Sequence, residues 1–469
     1  MYQLSNNINQ DKIFIVNKSE IEGRLEPNFY RPSIATLEKK IRSLSSKRLR
    51  SYAQSFAGGA TPSKREFEKY YSDSQTGIPF LRVQNLQTNG ELSLNECIYI
   101  NEETHNGLLK RSQVSEGDLL VKITGVGRMA IASIAPKDFV GNTNQHMVVI
   151  KTGDSSISKY LAHYLNLDII EQIASRHSTG GTRPALDYPS LKNIPIIEGL
   201  DFSIIDNAIK AKKAKEVEAQ QLLDSIDDYL LNELGITIPE VKTDIGSRMF
   251  IIQRSEIKGR YTPGLYKDAI SLHSTIYDNI SLSHLAYVNP NTRLPYKDEK
   301  MMISFIPMES VNEIYAEIND NKNCIVADSK GFTRFQEGDL LWAKITPCME
   351  NGKSAIAKGL TNGYGCGSTE FHVIRPKNSR LLVEYIHILL HMKIVRQTAK
   401  LYFGGSAGQQ RVASDFLESF NVPLPSKTKQ QDIVNYITNI RTRAKALQAE
   451  GKAILEDAKL KVEQMILGD

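Results

Sequence analysis

The feature that most constrains the fold is a stretch that the chain contains twice. Residues 12–30 and 248–266 align without a gap. The identical residues are Ser19, Glu20, Ile21, Gly23, Arg24, Pro27 and Tyr30 in the first copy, and Ser255, Glu256, Ile257, Gly259, Arg260, Pro263 and Tyr266 in the second. So many identities at one constant offset indicate an internal duplication. A chain of 469 residues is also too long for one hydrophobic core. The sequence therefore predicts two homologous domains in tandem.

Further segments of the second half repeat the first half in the same order. The repeated pairs are 116–124 with 337–346, which carries one inserted residue, 128–132 with 353–357, and the glycine-rich loop 178–187 with 404–412. Each copy mixes short β-type runs with turns and at least one amphipathic helical segment. We therefore expect an α+β fold with two tandem homologous α/β domains.

Each predicted domain is followed by a long segment with helical periodicity. Residues 204–234 contain neither glycine nor proline, and Gly235 follows as a helix stop. In residues 430–467 the apolar positions step alternately by four and three, which is typical of a coiled coil. The expected pairing residues are Ile205, Ile209, Leu223, Ile226 and Leu230 in the first helix, and Ile433, Ile437, Ile440, Leu447 and Ile454 in the second. We expect the two helices to form an antiparallel coiled coil about 45 Å long.

This organisation predicts five segments. They are a first domain at 1–200, a central helix at 201–236, a connector at 237–247, a second domain at 248–425 and a C-terminal helix at 426–469. The net charge of +5 favours a polyanionic partner only mildly. The four cysteines form no Cys-x-x-Cys pair and the nine histidines show no ligand spacing, so we expect no metal site. With no signal pattern and no membrane-length apolar run, we expect a soluble cytoplasmic protein.

Motifs for catalysis are incomplete in this sequence. Residues 351–354, Asn-Gly-Lys-Ser, resemble the end of a phosphate-binding loop, but Pro347 stands where that motif needs its first glycine. Glu256 and Lys258 have a nuclease-like spacing, but no convincing aspartate precedes them. Neither an adenine-methyltransferase signature nor a dinucleotide fingerprint is present. We therefore predict no catalytic residue and no cofactor in this chain.

Polar and basic loops at corresponding places in the two copies suit binding better than catalysis. Arginine and lysine can hold phosphates, arginine can read guanine and glutamine can pair with adenine. The candidate DNA-binding residues are Lys64, Arg65, Lys122, Arg128, Thr179, Gly180, Gly181, Thr182 and Arg183 in the first copy, and Arg293, Lys344, Lys353, Tyr402, Gly404, Gly405, Ser406, Gln409, Gln410 and Arg411 in the second. For any single one of them a solvated surface role is the simpler interpretation, so the argument depends on the recurrence.

Several short motifs, in this order and doubled, resemble the specificity subunit of type I restriction–modification systems over essentially the whole chain. They are Gly-Asp-Leu-Leu at 117–120 and 338–341, Ile-Ser-Phe-Ile-Pro-Met at 303–308, the Gly-Gly loops near 180 and 404, and Val-Pro-Leu-Pro at 422–425 followed by Gln430 and Gln431. At its start the first long helix departs from the pattern, with Ile194-Pro195 in place of Pro-Leu-Pro.

The resemblance implies a non-catalytic subunit that binds double-stranded DNA. Two target-recognition domains would read an asymmetric bipartite site, and two methyltransferase subunits carrying S-adenosylmethionine would dock on the paired helices. Restriction subunits that translocate DNA with ATP would join for cleavage. Two other classes stay open: a two-domain interaction scaffold that never touches DNA, and a stand-alone methyltransferase or nuclease. Steep weakening of DNA binding with salt would separate a DNA reader from a scaffold.

Overall fold

The computed structural model describes residues 8–45, 47–95, 97–238, 251–254, 272–294, 299–404 and 410–468. The second copy of the duplicated stretch from Ser255 to Tyr266 lies outside these residues, as do Gly405, Ser406 and Gln409. The chain divides into two compact units, with Met1–Glu216 and Gln448–Asp469 in unit 1 and Val217–Leu447 in unit 2. Among the described residues, the helices are all too short or too polar to cross a membrane.

The described residues of unit 1 form short helices and three sheets, together with the first part of a long helix. Its α-helices are α1 (Pro32–Leu44), α2 (Phe67–Tyr70), α3 (Glu102–Asn106), α4 (Ser155–Leu165), α5 (Asp168–His177), α6 (Tyr188–Lys192) and the first part of α7 (Ser203–Glu233). Its strands are β1 (Lys47–Arg48), β2 (Ser55–Gly58), β3 (Tyr71–Ser72), β4 (Ile78–Leu81), β5 (Ile98–Ile100), β6 (Gln113–Ser115), β7 (Leu119–Lys122), β8 (Ala132–Ile134), β9 (Val140–Thr143), β10 (Met147–Lys151) and β11 (Pro195–Ile196).

Two sheets of unit 1 pack against each other, and the buried strand β7 contributes side chains to the core on each of its faces. The antiparallel sheet has the order β2-β10-β7-β8, and the mixed sheet has the order β3-β5-β4-β9-β6 with β4 and β9 parallel. Side chains alternate between the two faces of a strand. Leu119 and Val121 therefore join the core beneath α4 and α5, whereas Leu120 joins the core shared with the mixed sheet. Strands buried on both faces explain why this segment is a continuous apolar run.

Unit 2 is built from the same kinds of elements. Its α-helices are the second part of α7, α8 (Leu282–Leu285), α9 (Val383–His391), α10 (Lys393–Lys400), α11 (Ser414–Ser419) and the first part of α12 (Lys427–Leu467). Its strands are β12 (Asn279–Ser281), β13 (Ala286–Val288), β14 (Met302–Ile306), β15 (Val311–Asn312), β16 (Glu317–Ile318), β17 (Lys322–Ile325), β18 (Thr333–Gln336), β19 (Leu340–Ala343), β20 (Ser354–Ile356), β21 (Tyr364–Gly367), β22 (Phe371–Pro376), β23 (Phe403–Gly404), β24 (Arg411–Val412) and β25 (Asn421–Pro423).

The sheets of unit 2 reproduce the strand order of unit 1. The antiparallel sheet β13-β22-β19-β20 corresponds to β2-β10-β7-β8, and β17-β14-β21-β18 corresponds to β5-β4-β9-β6, again with a central parallel pair. The same alternation recurs, because Leu340 and Trp342 face the helices while Leu341 faces the mixed sheet. The predicted fold class of two homologous α/β domains is confirmed.

Strand pairing corrects two details of the predicted alignment. Leu119 pairs with Ile134 in unit 1, and the matching Leu340 pairs with Ile356 in unit 2. Residues 354–356 therefore correspond to 132–134, so the predicted match of 353–357 with 128–132 is wrong by three residues. The two strands also align without an inserted residue. Residue 122 of unit 1 corresponds to residue 343 of unit 2, and residue 123 corresponds to residue 344. The two lysines that the sequence aligned are not equivalent.

In unit 1 the start of α7 runs antiparallel to the end of α12. Lys215 forms an ion pair with Glu450 at 2.8 Å, and Lys212 lies opposite Gly451. A Cβ built on Gly451 would stand 3.3 Å from the Lys212 Cα atom, so glycine permits a close approach of the two backbones. The apolar residues of this part share one core, and they are Ile205, Ile209, Ile454, Leu455, Ala458, Val462 and Ile466.

In unit 2 the end of α7 runs antiparallel to the start of α12. Glu218 pairs with Arg443 at 3.0 Å, and the rings of Tyr229 and Tyr436 stack with their centroids 4.1 Å apart. The core residues of this part are Leu223, Ile226, Leu230, Ile433, Ile437, Ile440 and Leu447, of which Leu223 is half-buried. The pairing of long antiparallel helices is thus confirmed within each unit.

The predicted stop of the central helix is also confirmed. Gly235 adopts a left-handed conformation with φ +60°. The Ile236 N–H donates to the Leu231 carbonyl at 2.8 Å, and the Gly235 N–H donates to the Asn232 carbonyl at 3.2 Å. These two bonds form a Schellman motif, which satisfies carbonyl groups at the helix end.

Candidate nucleic-acid interface

One edge of the antiparallel sheet in unit 1 gathers the predicted loops. Because β2, β10 and β7 are antiparallel to their neighbours, the end of β2, the start of β10 and the end of β7 lie at the same edge. The segment after β2 carries Lys64 and Arg65, which are both exposed. The segment before β10 contains Gln145, whose side chain accepts a hydrogen bond from the Thr61 hydroxyl. The first two loops therefore touch.

The glycine-rich loop 178–187 is bound to the same edge. The Leu186 N–H donates to the Ile123 carbonyl at 2.8 Å, and the Gly125 N–H donates to the Pro184 carbonyl at 3.0 Å. Thr179 and Ala185 exchange two backbone hydrogen bonds of 2.8 Å, which close the loop. All five candidate residues from Thr179 to Arg183 are exposed at its tip. The tip is thus presented to solvent on a fixed base.

A buried carboxylate anchors the N-terminal side of this loop. Glu38 on α1 is 4% exposed and binds Arg176 at 2.6 Å and His177 at 2.9 Å, the last two residues of α5. It also accepts a hydrogen bond from Arg42 at 2.8 Å. Burial alone would raise the pKa of Glu38, but the hydrogen bonds and charges of His177 and Arg42 outweigh it and lower the pKa to about 2. The loop therefore begins directly after an ionic cluster.

A glycine in the segment after β2 is required by a close backbone contact. A Cβ built on Gly59 would lie 1.9 Å from the Thr143 carbonyl oxygen and 2.7 Å from the Asn144 carbonyl oxygen. Any side chain would therefore force this segment away from the end of β9. The sequence indicated a turn here without revealing the contact.

Two candidates in unit 1 have structural roles. Lys122 is only 3% exposed, and its ammonium group donates to the Val126 carbonyl at 2.8 Å. Burial lowers the pKa of Lys122. Its assignment to a DNA-facing surface is therefore corrected. Arg128 forms an ion pair with Asp168 and donates to the Asn166 carbonyl at 2.5 Å, so its guanidinium holds the start of α5.

Unit 2 assembles the equivalent edge from the equivalent segments. The Lys344 N–H donates to the Glu370 carbonyl at 2.9 Å, and the Val412 N–H donates to the Lys344 carbonyl at 2.9 Å. The Thr346 N–H donates to the Gln410 carbonyl at 3.0 Å. These bonds match the backbone hydrogen bonds that Ile123 and Gly125 make in unit 1. The edge was therefore duplicated together with the fold.

The charged residues of this second edge are partly engaged with each other. The Arg411 guanidinium makes hydrogen bonds of 2.8 to 3.1 Å to both oxygens of Glu370. The hydrogen bond from Arg411 lowers the pKa of Glu370. Arg293 is exposed, and Lys344 is half-buried. This edge is therefore less basic than the number of its arginines and lysines indicates.

Lys344 also lines a cleft that sequence reasoning missed. The cleft has a volume of about 480 Å³. Its polar lining consists of Asn289, Asn291, Thr292, Thr333, Arg334 and Lys344. Arg334 lies on the edge strand β18, far in sequence from the predicted DNA-binding loops. No local sequence pattern could therefore have identified it.

The remaining candidates of unit 2 lie near the core. The Lys353 ammonium donates to the Met308 carbonyl at 3.3 Å. Lys353 is not equivalent to Arg128, the residue with which the sequence alignment paired it, because strand pairing shifts the alignment. The Tyr402 ring is half-buried and packs edge-on against Phe416, with centroids 5.1 Å apart. Gly404 is exposed at the end of β23.

Metal-ligating side chains do not cluster in the described part of the chain. There, we find no group of three His, Cys, Asp or Glu side chains able to hold a metal ion. His372 on β22 contacts Asn289 and the Val412 carbonyl, and burial is the main cause that lowers its pKa. The arrangement of both edges suits contact with a polar ligand surface.

Comparison with known proteins identifies the family of both units. The family model described as the type I restriction modification DNA specificity domain matches residues 45–197 and 278–456. Two curated relatives from Escherichia coli are the EcoEI specificity subunit, 34% identical over 188 residues, and the EcoAI specificity subunit, 33% identical over 193 residues. Each match covers 40% of this chain and 31% or 32% of the relative, so the chain matches about a third of their length.

A solved structure resembles the chain at low identity. The type I restriction–modification S subunit from M. genitalium is 12% identical, with 89% of this chain and 94% of that chain covered and a TM-score of 0.35. The family model, by contrast, covers well over half of the sequence in two separate regions, one in each half of the chain. The chain belongs to the family of type I restriction–modification DNA specificity domains.

Proposed function

We propose that this protein is the DNA specificity subunit of a type I restriction–modification complex. It reads an asymmetric bipartite site with two target-recognition domains, at residues 1–200 and 248–425. The helical segments 201–236 and 426–469 form the spacer, and residues 237–247 connect the central helix to the second domain. It is a non-catalytic subunit that acts in the cytoplasm, where its DNA target lies.

The observation that carries this proposal is the duplicated loop edge. In each unit, polar and basic loop residues lie at the corresponding edge of the corresponding sheet, and the bases of these loops are held by matching backbone hydrogen bonds. Phosphate contacts of this kind position a protein on DNA, while side chains that reach base edges specify the sequence. The proposed contacts are Lys64, Arg65 and Thr179 to Arg183 in unit 1, and Arg293, Lys344, Gln410 and Arg411 in unit 2.

The two edges are alike in position and unlike in chemistry. Unit 1 offers a glycine-rich tip with Arg183, whereas unit 2 offers the Arg411–Glu370 pair beside Lys344. Different donors and acceptors select different bases in the major groove. We therefore expect the two half-sites to differ in sequence.

The partners follow from the same assignment. Two methyltransferase subunits dock on the paired helices α7 and α12 and carry the S-adenosylmethionine that modifies an adenine in each half-site. An adenine must leave the base stack to be modified, and its enzyme supplies that pocket. Restriction subunits that use ATP complete the nuclease.

A domain exchange tests the proposal directly. Residues 12–200 are replaced by the corresponding segment of a family relative, and the full chain is expressed with its methyltransferase partner. Long-read sequencing then gives the methylated motif. We expect one half of the motif to change and the other half to stay as in the natural protein, because each unit reads its own half-site.

The matched control exchanges residues 278–423 and should change the opposite half. A motif in which both halves change after one exchange would contradict modular reading. If the natural chain produces no sequence-specific methylation and its DNA affinity is insensitive to salt, the scaffold alternative is correct instead.

A further inference from the structure

An arginine on helix α12 borders a cavity and has no hydrogen-bond partner among the described residues. Arg441 lies on α12 within unit 2, and its Nε atom is buried with no hydrogen-bond partner. Among the described residues, none accepts a hydrogen bond from its guanidinium, and no carboxylate lies within ion-pair distance. Burial lowers the pKa of Arg441 to about 10, so the side chain stays cationic at neutral pH.

A charged group in this situation is costly. Buried charges in folded proteins are normally paired or hydrogen-bonded, because transfer out of water is strongly unfavourable without compensation. A group without a partner therefore requires an explanation, such as an ion or water that completes it. The guanidinium offers five N–H donors in a planar fork, a geometry that matches the oxygens of a phosphate or carboxylate.

Arg441 borders a cavity of about 380 Å³ that is lined by one face of α12. Thr438, Thr442 and Lys445 line the same face at helical spacing, and they add two hydroxyl groups and an ammonium group. Opposite them lies His387 of α9, which shares a hydrogen bond of 3.0 Å with the Ser354 hydroxyl. The cavity therefore carries several donors around one open space.

The charges around this cavity do not balance. Its cations are Lys358, Arg441 and Lys445, and its carboxylates are Glu317 and Glu384. Glu384 is paired with Lys358 at 2.8 Å, and Glu317 is paired with Lys445. Burial, followed by the charge of Arg441, lowers the pKa of His387 well below its usual value, so this imidazole is neutral. One positive charge is left over, and it belongs to Arg441.

A second cavity on the other side of Arg441 has no such surplus. It has a volume of about 500 Å³, and its charged lining consists of Asp224, Asp227, Glu313, Lys393, Arg396 and Arg441. Apart from Arg441, whose charge is already counted in the first cavity, three carboxylates face two cations there, which disfavours an anion. An anion is therefore favoured in the first cavity, which we name the Arg441 cavity.

We propose that the Arg441 cavity is a binding site for the phosphate group of a small ligand, with Arg441 as its anchor and the hydroxyl groups of Thr438 and Thr442 as further donors. A phosphate brings several acceptor oxygens, which suits a guanidinium fork flanked by hydroxyls better than a single carboxylate does. The site is independent of the DNA-reading edges and goes beyond the function proposed above.

The first experiment is a titration of the full-length protein with inorganic phosphate at constant ionic strength, followed by calorimetry and by thermal unfolding. A second arm uses AMP, which separates a free phosphate ion from a nucleotide as the source of the same chemistry. We expect saturable binding and a rise in the unfolding temperature in at least one arm, because a ligand that binds only the folded state stabilises it.

Three variants define the role of Arg441. Arg441→Met keeps the length and helix propensity of the side chain but removes the charge, and we expect binding to weaken by about tenfold to a hundredfold. Arg441→Lys keeps the charge without the fork and should bind with intermediate affinity. The matched control is Arg443→Met, an exposed position on the same helix, which should bind as the natural protein does.

Folding is checked independently of binding. Because Arg441 has no hydrogen-bond or ion-pair partner among the described residues, the unfolding temperature of Arg441→Met, measured without phosphate, should be no lower than that of the natural protein. If this variant is unstable, Thr442→Val replaces it, and weaker phosphate binding with unchanged stability supports the site.

The contrary outcomes are equally definite. Equal phosphate binding by Arg441→Met and the natural protein overturns the proposal. Absence of any phosphate- or AMP-dependent heat or stabilisation overturns it as well, and then the guanidinium is simply hydrated. Loss of DNA binding in Arg441→Met, without any binding of the small ligands to the natural protein, would identify a DNA contact instead.

Discussion

Replacing Glu38 by glutamine tests whether the ionic cluster fixes the candidate loop of unit 1. The substitution keeps the shape of the side chain and removes its charge. Arg176 and His177 at the end of α5 then lose their carboxylate, immediately before the exposed residues 179–183. We expect both the stability of unit 1 and the affinity of its loop for DNA to fall.

The size of the effect follows from the pKa of Glu38. A value of about 2 in place of 4.5 corresponds to about 3 kcal/mol, because one pH unit is worth about 1.4 kcal/mol. Arg42 and His177 are 35% and 25% exposed, so solvent screens part of their interaction. We therefore expect Glu38→Gln to lower the free energy of unfolding by about 2 kcal/mol at pH 7 and the unfolding temperature by about 5 °C.

The pH dependence has a definite sign. The pKa of Glu38 is depressed in the folded state, so its ionised form is the stabilising one. The contribution is fully present above pH 4.5 and is lost as the pH falls toward 2. The natural protein should therefore lose its advantage over Glu38→Gln as the pH falls below 4.5.

The assay is denaturant unfolding of the full chain at several pH values, with hydrogen exchange of α1 and α5 as a local probe. The control is Glu198→Gln, which breaks an ion pair with Lys47 that is about half exposed on both sides. Such surface pairs contribute about 1 kcal/mol or less. Equal effects of the two substitutions, or a Glu38→Gln effect that persists unchanged at pH 3.5, would refute the reasoning.

Two further predictions concern the interface and the helices. Arg183→Ala should reduce the slope of log affinity for DNA against log salt by about 0.9. Lys122→Met should leave this slope unchanged because that ammonium is buried. Filter binding over a salt series measures both slopes, and a changed slope for Lys122→Met would return this residue to the interface. Gly451→Leu should cost about 1–3 kcal/mol, because its side chain must enter space that the Lys212 backbone occupies at 3.3 Å. Denaturant unfolding measures this cost, with Gly451→Ala as the milder control, and equal stability of the leucine variant would show that the helices can separate freely there.

The duplicated organisation and the long helices could be predicted from the sequence because both depend on repeated local patterns. Identities at a constant offset reveal a duplication whatever the fold, and the four-three spacing in α12 places Ile433 and Ile437 on one face. The glycine at 235 stops the central helix for a purely local reason, its left-handed backbone.

The register of short strands could not be predicted in the same way. Residues 128–134 read Arg-Met-Ala-Ile-Ala-Ser-Ile, so a small residue followed by isoleucine occurs twice, three positions apart. Sequence identity favoured the first occurrence, whereas pairing with β7 selects the second. Register is decided by the partner strand and by the face that is buried, and neither is visible in one strand alone.

Long-range polar contacts were equally hidden. Glu38 and His177 are 139 positions apart in the chain, and no local sequence pattern near either residue indicates their contact. A lysine at a strand end such as Lys122 is typically a surface residue, and only the folded turn brings the Val126 carbonyl to its ammonium. The sequence therefore predicted the recurrence of these loops in both units better than which of their side chains face outward.

Unit 1 is assembled from the two extremes of the chain, and this affects how the protein is made. The hydrophobic core around Ile41 and Leu119 is completed by Leu455, Val462 and Ile466 of the last helix. Domains usually fold in the order in which the ribosome releases them. Here the core of the half that is synthesised first cannot close until residues 448–469 have been made, so the two units are completed at nearly the same moment.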